Sequence, residues 1–587
     1  MQLARTPLAN WGIGAAALAA AVPVAWLLFR LESAFPDPER RVLATAAIFL
    51  VLLIAPPAAY VLKRRRSADA GQAALLVLIP AAVLMCGTWL YSTLPAILFP
   101  ADILIWSESD FVNDIIKFRT GYPLYTDQQN NESFIYPPGA QVLTYLLASL
   151  FRKPLSIPAY RLIQVLFVLI AVGVAISCCR KILQLCGGQS AAQSSLPAWA
   201  LTVPVLFLAA TNSLTNPFTH NLHNDALALL VSAAAWWVLL EYVRCRNRKL
   251  LAVMALLPGV GFAVKQSLLV WLGLYTIHLA LFDRPRSLQR ALSVAASGAA
   301  FVAALVGIGH LLWGEPFHYW VFFVLAKRGA SPLRSFRNLL FVWPYLAAGL
   351  AAAWVLLRGE PARRLAGPWV VWLLLTLTQI WSSGIAWMTN HIGPGSLLAT
   401  VWFVAALQHA WPALIRSDTA ERPSWFRAGL ATATLLLLFG GLGFIRIPLR
   451  AVPREAYQYV ARIESHFQNH SPERVLLDVG SWVYLRSGIV MRDRAPCFGD
   501  RGYAQTGDFR RALERIERRW YSKILIRRLH SPDFWYDHYL WPNSSGIRRA
   551  LMENYVEVER IPPGAPATPD ASPPYLFDEV SVLVPKP

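Results

Sequence analysis

Residues 73–99 read AALLVLIPAAVLMCGTWLYSTLPAILF, a stretch without a single charged side chain. About twenty consecutive apolar residues are enough to cross the hydrocarbon core of a bilayer, so this stretch predicts a membrane span. Acidic side chains follow closely, in ESDFVND at 108–114. What a Glu-x-Asp pair at the mouth of a span can do depends on which side of the membrane it faces.

The rest of the chain has the same apolar character. Of its 587 residues, 56% are hydrophobic and only 15% are charged, whereas soluble domains carry about 25% charged residues. The composition therefore predicts a polytopic α-helical membrane protein. The net charge of +20 lies mostly in short clusters between apolar runs, as membrane topology requires. Because no nucleic-acid motif accompanies this charge, it does not indicate nucleic-acid binding.

About thirteen spans are predicted, at 10–29, 42–62, 73–96, 157–178, 195–211, 225–243, 250–264, 267–282, 291–312, 338–357, 367–384, 393–411 and 428–446. Five basic clusters each follow an even-numbered span: KRRR (63–66), CCRK (178–181), RCRNRK (244–249), DRPRSLQR (283–290) and RGEPARR (358–364). Short cytoplasmic loops are enriched in Lys and Arg. The pattern predicts a cytoplasmic amino terminus and an external tail, in a multi-pass protein of the cell (inner or plasma) membrane.

One apolar segment, YPPGAQVLTYLLASLF at 136–151, is short for a crossing. If it did cross, the four basic loops that follow it would change sides. We therefore expect a helix that lies on or dips into the outer surface, within a first external loop at about 97–156.

The chain divides into a transmembrane part, 1–449, and an external tail, 450–587. In the tail, RVLLDVG (474–480) and KILIRRL (523–529) have the composition of strands, and so does YLFDEVSVLVP at the end. The segment DFRRALERIERRW (508–520) places apolar residues at helical spacing. Strands that alternate with helices predict a small α/β domain.

This topology brings several polar groups to the outer face. Besides Glu108 and Asp110, they are His220, His223, Asp225, Lys265, Gln266, Lys327, Arg328, Arg334, Arg337, Asn390 and His391. The loop at 327–337 has four basic residues and no acidic one, where short loops normally avoid positive charge. Arg and Lys bind phosphate well, so this loop predicts an anion site, although a merely solvated loop remains open. Lys265 is either a phosphate ligand or a lysine that reaches the surface.

The two histidines and Asp225 fit no strong metal-ligand spacing, and Asp225 could simply cap the helix that follows. We therefore expect a polar substrate groove there and no metal site.

Six short motifs carry a resemblance to a known family. ESDF, GYPLY (121–125) and YPPG (136–139), then THNLHNDALALLVSAAAW (219–236), GFAVKQSLLV (261–270) and TNHIGPGSLLATV (389–401) occur in order and on one side. They resemble the GT-C superfamily of integral-membrane glycosyltransferases, in particular its polyprenyl-phosphate-sugar-dependent, mannosyltransferase-like members. The resemblance extends over about 73–450, and Glu-x-Asp matches that family's modified Asp-x-Asp motif.

The resemblance implies a GT-C-like fold and a hexosyl- or pentosyltransferase that uses a polyprenyl-phosphate-linked sugar donor and a glycan, lipid or protein acceptor. A carboxylate can deprotonate the attacking hydroxyl, and we assign this role to Asp110, with Glu108 orienting the acceptor or binding a cation. The basic residues would stabilise the leaving phosphate. The histidines and Asn390 would line the sugar pocket.

Some family members use a divalent cation such as magnesium or manganese. The lack of a dense carboxylate cluster in this sequence favours none. The alternative function, a lipid or sugar transporter or flippase, would call for internal repeats and charges near the bilayer midplane, and the sequence shows no repeat.

Overall fold

The fold was analysed in a computed structural model of the full chain. It describes residues 86, 89, 93–94, 96–105, 108–187, 196–212, 218–283, 287–357, 360–385, 389–415, 452, 454–493, 508–527, 529–530, 545–564 and 578–587. The predicted spans at 10–29, 42–62 and 428–446, and the domain boundary at 449/450, lie outside the described residues.

The first part of the chain is helical. Its described α-helices of more than four residues are α1 (Glu108–Thr120), α2 (Gly139–Leu150), α3 (Ile157–Leu185), α4 (Leu196–Ala210), α5 (Asp225–Cys245), α6 (Lys249–Val264), α7 (Val270–Leu281), α8 (Leu288–Trp313), α9 (Pro332–Leu356), α10 (Glu360–Ser383) and α11 (Gly393–Ile415). Single turns at Gln266–Leu269 and Thr389–Ile392 precede α7 and α11, and a π-helical turn occupies Tyr319–Phe323.

Serine caps set the starts of three long helices. The hydroxyl oxygens of Ser156, Ser287 and Ser331 accept the backbone N–H three residues ahead, which satisfies one of the free donors of a helix start. Helix α3 packs along α5, α6 along α8, and α9 along α11. These helices share one continuous apolar core.

Four described helices are long and apolar enough to cross a membrane: Ile157–Leu185, Asp225–Cys245, Leu288–Trp313 and Arg363–Ser383. A fifth crossing results if Pro332–Leu340 and Val342–Leu356, which meet at 65°, form one span. The ring of Pro344 explains this bend, since it clashes with the carbonyl four residues earlier, at residue 340. The total of thirteen spans stays a prediction. The segment at 136–151 contains α2, only 12 residues long, as expected for a helix that does not cross.

Two of the predicted basic loops, at 244–249 and 283–290, meet at one end of the helix bundle. Arg246 and Arg290, from the loops at 244–249 and 283–290, both form ion pairs with the buried carboxylate of Asp283. At the opposite end, Lys265 and Asn390 contact Asp225. The structure therefore places these two basic loops at the end of α5 opposite to Asp225 and its partners Lys265 and Asn390. Which end faces the cytoplasm remains a prediction from the charge bias.

The tail contains helices α12 (Arg454–Ser465), α13 (Trp482–Ser487), α14 (Arg510–Glu517) and α15 (Ile547–Asn554), with strands β1 (Val475–Leu477), β2 (Lys523–Arg527), β3 (Tyr555–Ile561) and β4 (Val580–Pro585). The strands form one sheet in the order β1-β2-β4-β3, in which only β1 and β2 are parallel. The three predicted strands and the predicted amphipathic helix are confirmed. Sequence reading missed β3, although YVEVERI (555–561) alternates apolar and polar residues.

We expect the carboxy terminus to be external. A reporter that is active only outside the cytoplasm, fused after Pro587, should give signal because the described basic loops lie at the far end of the bundle. The same reporter fused after Leu357, beside a basic loop, should stay silent. Signal from a reporter that works only in the cytoplasm, fused after Pro587, would invert the assignment of sides.

Candidate active site

Helix α1 begins at the Glu-x-Asp pair and buries its polar side chains. Glu108, Asp110, Asn113 and Lys117 are inaccessible to solvent, and Asp114 is 4% exposed. Asp110 and Asp114 are four residues apart and so lie on one face of the helix. Polar groups are buried at a cost unless they are hydrogen-bonded or paired. The helix therefore forms one wall of a polar site within the protein.

Glu108 lies in a buried ion pair with Arg161 of α3. Arg161 Nε and Nη2 donate to Glu108 Oε1 and Oε2 at 2.8 and 2.5 Å, and the backbone N–H of Leu222 donates to Oε1 at 2.9 Å. The remaining guanidinium donors reach three backbone carbonyls at 2.7–2.8 Å, those of Ala96, Phe99 and Ala101. One ion pair thus joins α1, α3 and the two loops that precede α1 and α5.

The predicted role of Glu108 was to orient the acceptor or bind a cation. In the structure its carboxylate instead contacts Arg161 and the backbone of Leu222. Both of its oxygens already accept hydrogen bonds from the protein. Sequence reasoning missed Arg161, although an ionisable side chain within an apolar span signals a specific partner.

Three of the predicted site residues contact a fourth, Asp225, which is the first residue of α5. Lys265 Nζ lies 2.5 Å from Asp225 Oδ1, and Asn390 Nδ2 and His223 Nδ1 lie 2.5 and 2.8 Å from Oδ2. We call these four residues the Asp225 cluster. The ring of His223 lies 4.8 Å from that of Phe111, the residue after Asp110. The cluster therefore adjoins the acid-bearing helix.

Lys265 retains the capacity to bind a second anion. An ammonium group has three N–H donors, and one is directed at Asp225. Lys265 is only 3% exposed, because it lies between the carboxy-terminal end of α6 and the turn that precedes α7. Its Nζ is also 6.0 Å from the ring centroid of Tyr136, in the YPPG motif.

Gln266 and Gly139 hold the YPPG motif against the connection between α6 and α7. Gln266 Nε2 donates to the carbonyls of Ile135 and Val321 at 2.7 and 3.2 Å. A β-carbon at Gly139 would lie 2.4 Å from the carbonyl oxygen of Ala263, so only glycine permits this approach. The predicted outer-face motifs therefore pack together.

The site histidines are neutral at physiological pH. Burial and the charge of Arg161 lower the pKa of His220 to about 3. Burial and the charge of Lys265 lower the pKa of His391 to about 3. Burial also lowers the pKa of His223, against the opposing effect of Asp225. Neutral imidazoles accept or donate a hydrogen bond, so these rings suit a polar lining better than a proton donor.

These shifts predict that acid destabilises the protein. Between about pH 6.5 and 3 the unfolded chain binds protons on His220 and His391 that the folded chain does not, so stability rises with pH in this window. Each pH unit below 6.5 should cost roughly 1.4 kcal/mol per histidine. Thermal unfolding followed from pH 7 to pH 5 should show the loss, and His391→Gln should reduce it. An identical pH slope in that variant would contradict the shift.

The four basic residues of the loop at 327–337 have different surroundings. The charge of Arg328 contributes to lowering the pKa of His391, after the larger effects of burial and Lys265. Lys327 and Arg337 are exposed, and Lys327 Nζ lies 5.3 Å from the ring of Phe323. Arg334 is partly buried in the first turn of α9. Of the four basic residues of the loop predicted to bind the phosphate, Arg328 is the one whose charge acts on a site histidine in this way.

The comparisons with known proteins were made on sequence and on structure. No family model and no curated protein matches the sequence. Among solved structures, ArnT from Cupriavidus metallidurans bound to undecaprenyl phosphate superimposes with a TM-score of 0.52 at 16% identity, over 85% of this chain and 97% of that chain. The chain has the GT-C fold.

Two further structures score lower. Apo ArnT from the same organism gives a TM-score of 0.49 at 16% identity. The oligosaccharyltransferase AglB from Archaeoglobus fulgidus, in complex with an inhibitory peptide and a dolichol-phosphate, gives 0.44 at 9% identity, over 80% of this chain and 73% of that chain. The assignment of the GT-C fold therefore depends on the first structure.

Within the GT-C fold of this chain, several amides present oxygen atoms to the site region. Asn224 Nδ2 donates to the carbonyl of Val264, Gln141 Nε2 to Asp114, and Gln266 and Asn390 donate as described above. Because these partners can only accept, they determine which amide atom is the nitrogen. The amide oxygens of all four residues are buried and have no hydrogen-bond donor among the residues that the structure describes. A ligand there would be recognised through its own hydrogen-bond donors.

Among the described residues, the structure contains no group of three or more His, Cys, Asp or Glu side chains placed to hold a metal ion.

Proposed function

We propose that this protein is an inverting glycosyltransferase that moves a sugar from a polyprenyl-phosphate donor to an acceptor at the outer face of the cytoplasmic membrane. The observation that carries the proposal is the juxtaposition of α1, with its buried Asp110, and the Asp225 cluster, with its buried Lys265. The site thus has a carboxylate on one side, from α1, and the cationic Lys265 on the other. The GT-C fold shared with ArnT, whose structure contains undecaprenyl phosphate, supports a lipid-linked donor.

Asp110 acts as the general base. The acceptor hydroxyl must lose a proton as its oxygen attacks the anomeric carbon from the face opposite the phosphate. A carboxylate within hydrogen-bond reach of that oxygen can take the proton. Asp110 lies on α1, whose orientation is held by the Glu108–Arg161 pair. Glu108 is therefore assigned as a positioning residue rather than as a ligand of the acceptor.

Lys265 and Arg328 stabilise the leaving polyprenyl phosphate. Negative charge grows on the phosphate oxygens as the glycosidic bond breaks, and a cation held in place beforehand lowers the energy of that state. Asp225 holds the ammonium of Lys265 in position without occupying all of its donors. Arg334 and Arg337 are assigned to the same lipid phosphate from nearer the membrane surface.

The sugar occupies the polar lining between these two walls. Its hydroxyl groups donate to the amide oxygens of Gln266 and Asn390, and the neutral rings of His220, His223 and His391 complete the lining. The donor-poor lining favours a sugar with free hydroxyl groups over one whose hydroxyls are blocked by acyl groups. A divalent cation such as magnesium or manganese is not required by this scheme.

The experiment that tests the proposal combines genetics with reconstitution. Mass spectrometry of envelope glycans from a strain that lacks this protein should show the loss of one sugar substituent. The purified full chain, supplied with total polyprenyl-phosphate sugars in lipid nanodiscs, should release free polyprenyl phosphate when membrane acceptor is added. Unchanged glycans together with transbilayer movement of intact donor would favour a flippase instead.

We predict that Arg328→Lys is not a silent change. Lysine keeps the charge but loses the planar fork that grips two phosphate oxygens. A hydrogen bond to a charged partner contributes about 1.5–3 kcal/mol, so donor affinity should fall roughly tenfold or more, with a larger fall for Arg328→Ala. We expect smaller effects for Arg334→Ala and Arg337→Ala, because Arg328 is the residue of this loop whose charge acts on His391. Lys249→Ala, exposed at the opposite end, is the control. Unchanged donor affinity in all three alanine variants would leave Lys265 as the phosphate ligand.

A further inference from the structure

The carboxy-terminal domain lies against α1 along the length of the helix. Near its start, Ser481 Oγ donates to the carbonyl of Ser109 at 2.8 Å. Near its end, Arg119 Nη1 donates to the carbonyl of Leu485 at 3.2 Å. Ser109 and Ser481 are buried. The acid-bearing helix is therefore shared between the membrane-embedded part and the tail.

Asn113 makes the most specific contact of this interface. Its Oδ1 accepts from the backbone N–H of Met491 at 2.9 Å, and its Nδ2 donates to the carbonyl of the same residue at 3.2 Å. Two oppositely directed bonds to one residue resist rotation of the helix about its axis, since a small turn lengthens both. Asp110 lies one turn before Asn113, so the direction of its carboxylate depends on this pair.

The loop that leads into α1 is held by the same domain. The carboxylate of Asp102 accepts from the backbone N–H groups of Ser481 and Trp482 at 2.8–3.0 Å. A β-carbon at Gly480 would lie 2.7 Å from Asp102 Oδ1, so glycine is needed for this approach. The two chain segments meet through directional hydrogen bonds as well as apolar packing.

We propose that the carboxy-terminal domain is a positioning element, which holds α1 at the rotation that directs Asp110 at the acceptor hydroxyl. This inference rests on the proposed function, in which Asp110 is the base. The Glu108–Arg161 pair holds the start of the helix from the membrane side, and Asn113 and Ser481 hold it from the domain side. A displacement of about 1 Å in a reacting group can cost roughly a hundredfold in rate. Asn113 and Ser481 are therefore positioning residues.

The test uses the full chain in nanodiscs with three variants: Asn113→Ala, Ser481→Ala and Arg549→Ala. Arg549 is exposed on α15 of the same domain and serves as the matched control. Transfer rates give kcat and KM for the donor, and hydrogen–deuterium exchange reports on the amides of α1 and of the sheet. Asn113→Ala should lower kcat roughly ten- to a hundredfold with KM unchanged. Exchange should quicken in α1 and stay unchanged in β1–β4.

Ser481→Ala should show the same pattern more weakly, which keeps the test informative if Asn113→Ala fails to fold. The proposal is overturned if both variants keep wild-type kcat and wild-type exchange in α1. It is also overturned if kcat falls only together with loss of protection in the sheet, because the contact would then be needed only for folding. If the wild-type chain transfers no sugar, the proposed function fails, and exchange in α1 still decides whether the domain holds the helix.

Discussion

Asp110→Asn is expected to lower sugar transfer by at least about a hundredfold, the usual scale for loss of a general base, with the donor lipid still bound. Asparagine keeps the size and polarity of the side chain but cannot accept the proton of the attacking hydroxyl. Because Asp110 is fully buried on α1, bulk water cannot readily replace it. The amide has no negative charge, so repulsion between the site and the donor phosphate does not increase.

The measurement is release of polyprenyl phosphate in single turnover, alongside direct binding of the donor. Asp114→Asn is the matched comparison, since it lies one turn along the same face and is hydrogen-bonded to Gln141. We expect a smaller loss there. Normal turnover in Asp110→Asn with a severe loss in Asp114→Asn would transfer the role of base to Asp114.

Arg161→Met is expected to destabilise the fold by roughly 3–5 kcal/mol, the scale for a buried charge that loses its partner. Both side chains of the Glu108–Arg161 pair are inaccessible to solvent. Methionine has a similar length, so it removes the guanidinium and leaves the carboxylate of Glu108 with one backbone donor, from Leu222. The three loop carbonyls that Arg161 now satisfies also lose their donors.

The double variant Glu108→Gln/Arg161→Met should recover part of this loss, because it leaves no buried charge. Unfolding of the purified chain, followed by heat or denaturant in detergent, measures the difference. Arg549→Met removes the exposed ion pair with Glu553, which should contribute at most about 1 kcal/mol. Equal destabilisation by Arg161→Met and Arg549→Met, or no recovery in the double variant, would show that the buried pair does not hold α1.

The two predictions separate chemistry from architecture on one helix. Asp110→Asn should abolish transfer in a folded protein, whereas Arg161→Met should reduce the amount of folded protein. Because Glu108 and Asp110 are only two residues apart, sequence reading assigned both to the reaction. The structure instead directs Glu108 at Arg161, because position 108 faces α3 and the loop before α5.

Local signals were enough for the class of the protein and the order of its elements. Apolar runs indicated the membrane helices, and the pattern of the tail indicated three of the four strands that the structure describes there. The charge bias also predicted that the basic loops share one side, and two of them, at 244–249 and 283–290, do meet at Asp283. The acidic, histidine and lysine motifs were recognised as one group because they fall after odd-numbered predicted spans.

The pairing of those groups was decided by the tertiary structure. Glu108 and Arg161 are 53 positions apart, Asp225 and Asn390 are 165 apart, and Asn113 and Met491 are 378 apart. No periodicity or charge pattern within one segment can indicate a partner that lies so far along the chain. The contact forms only when helices pack and remove water from both groups, and a buried polar group then takes whichever partner the packing brings within hydrogen-bond distance. Composition and local pattern therefore indicate which helices, strands and loops carry the polar residues. Packing determines which of these residues pair with other protein groups and which are left to face a ligand.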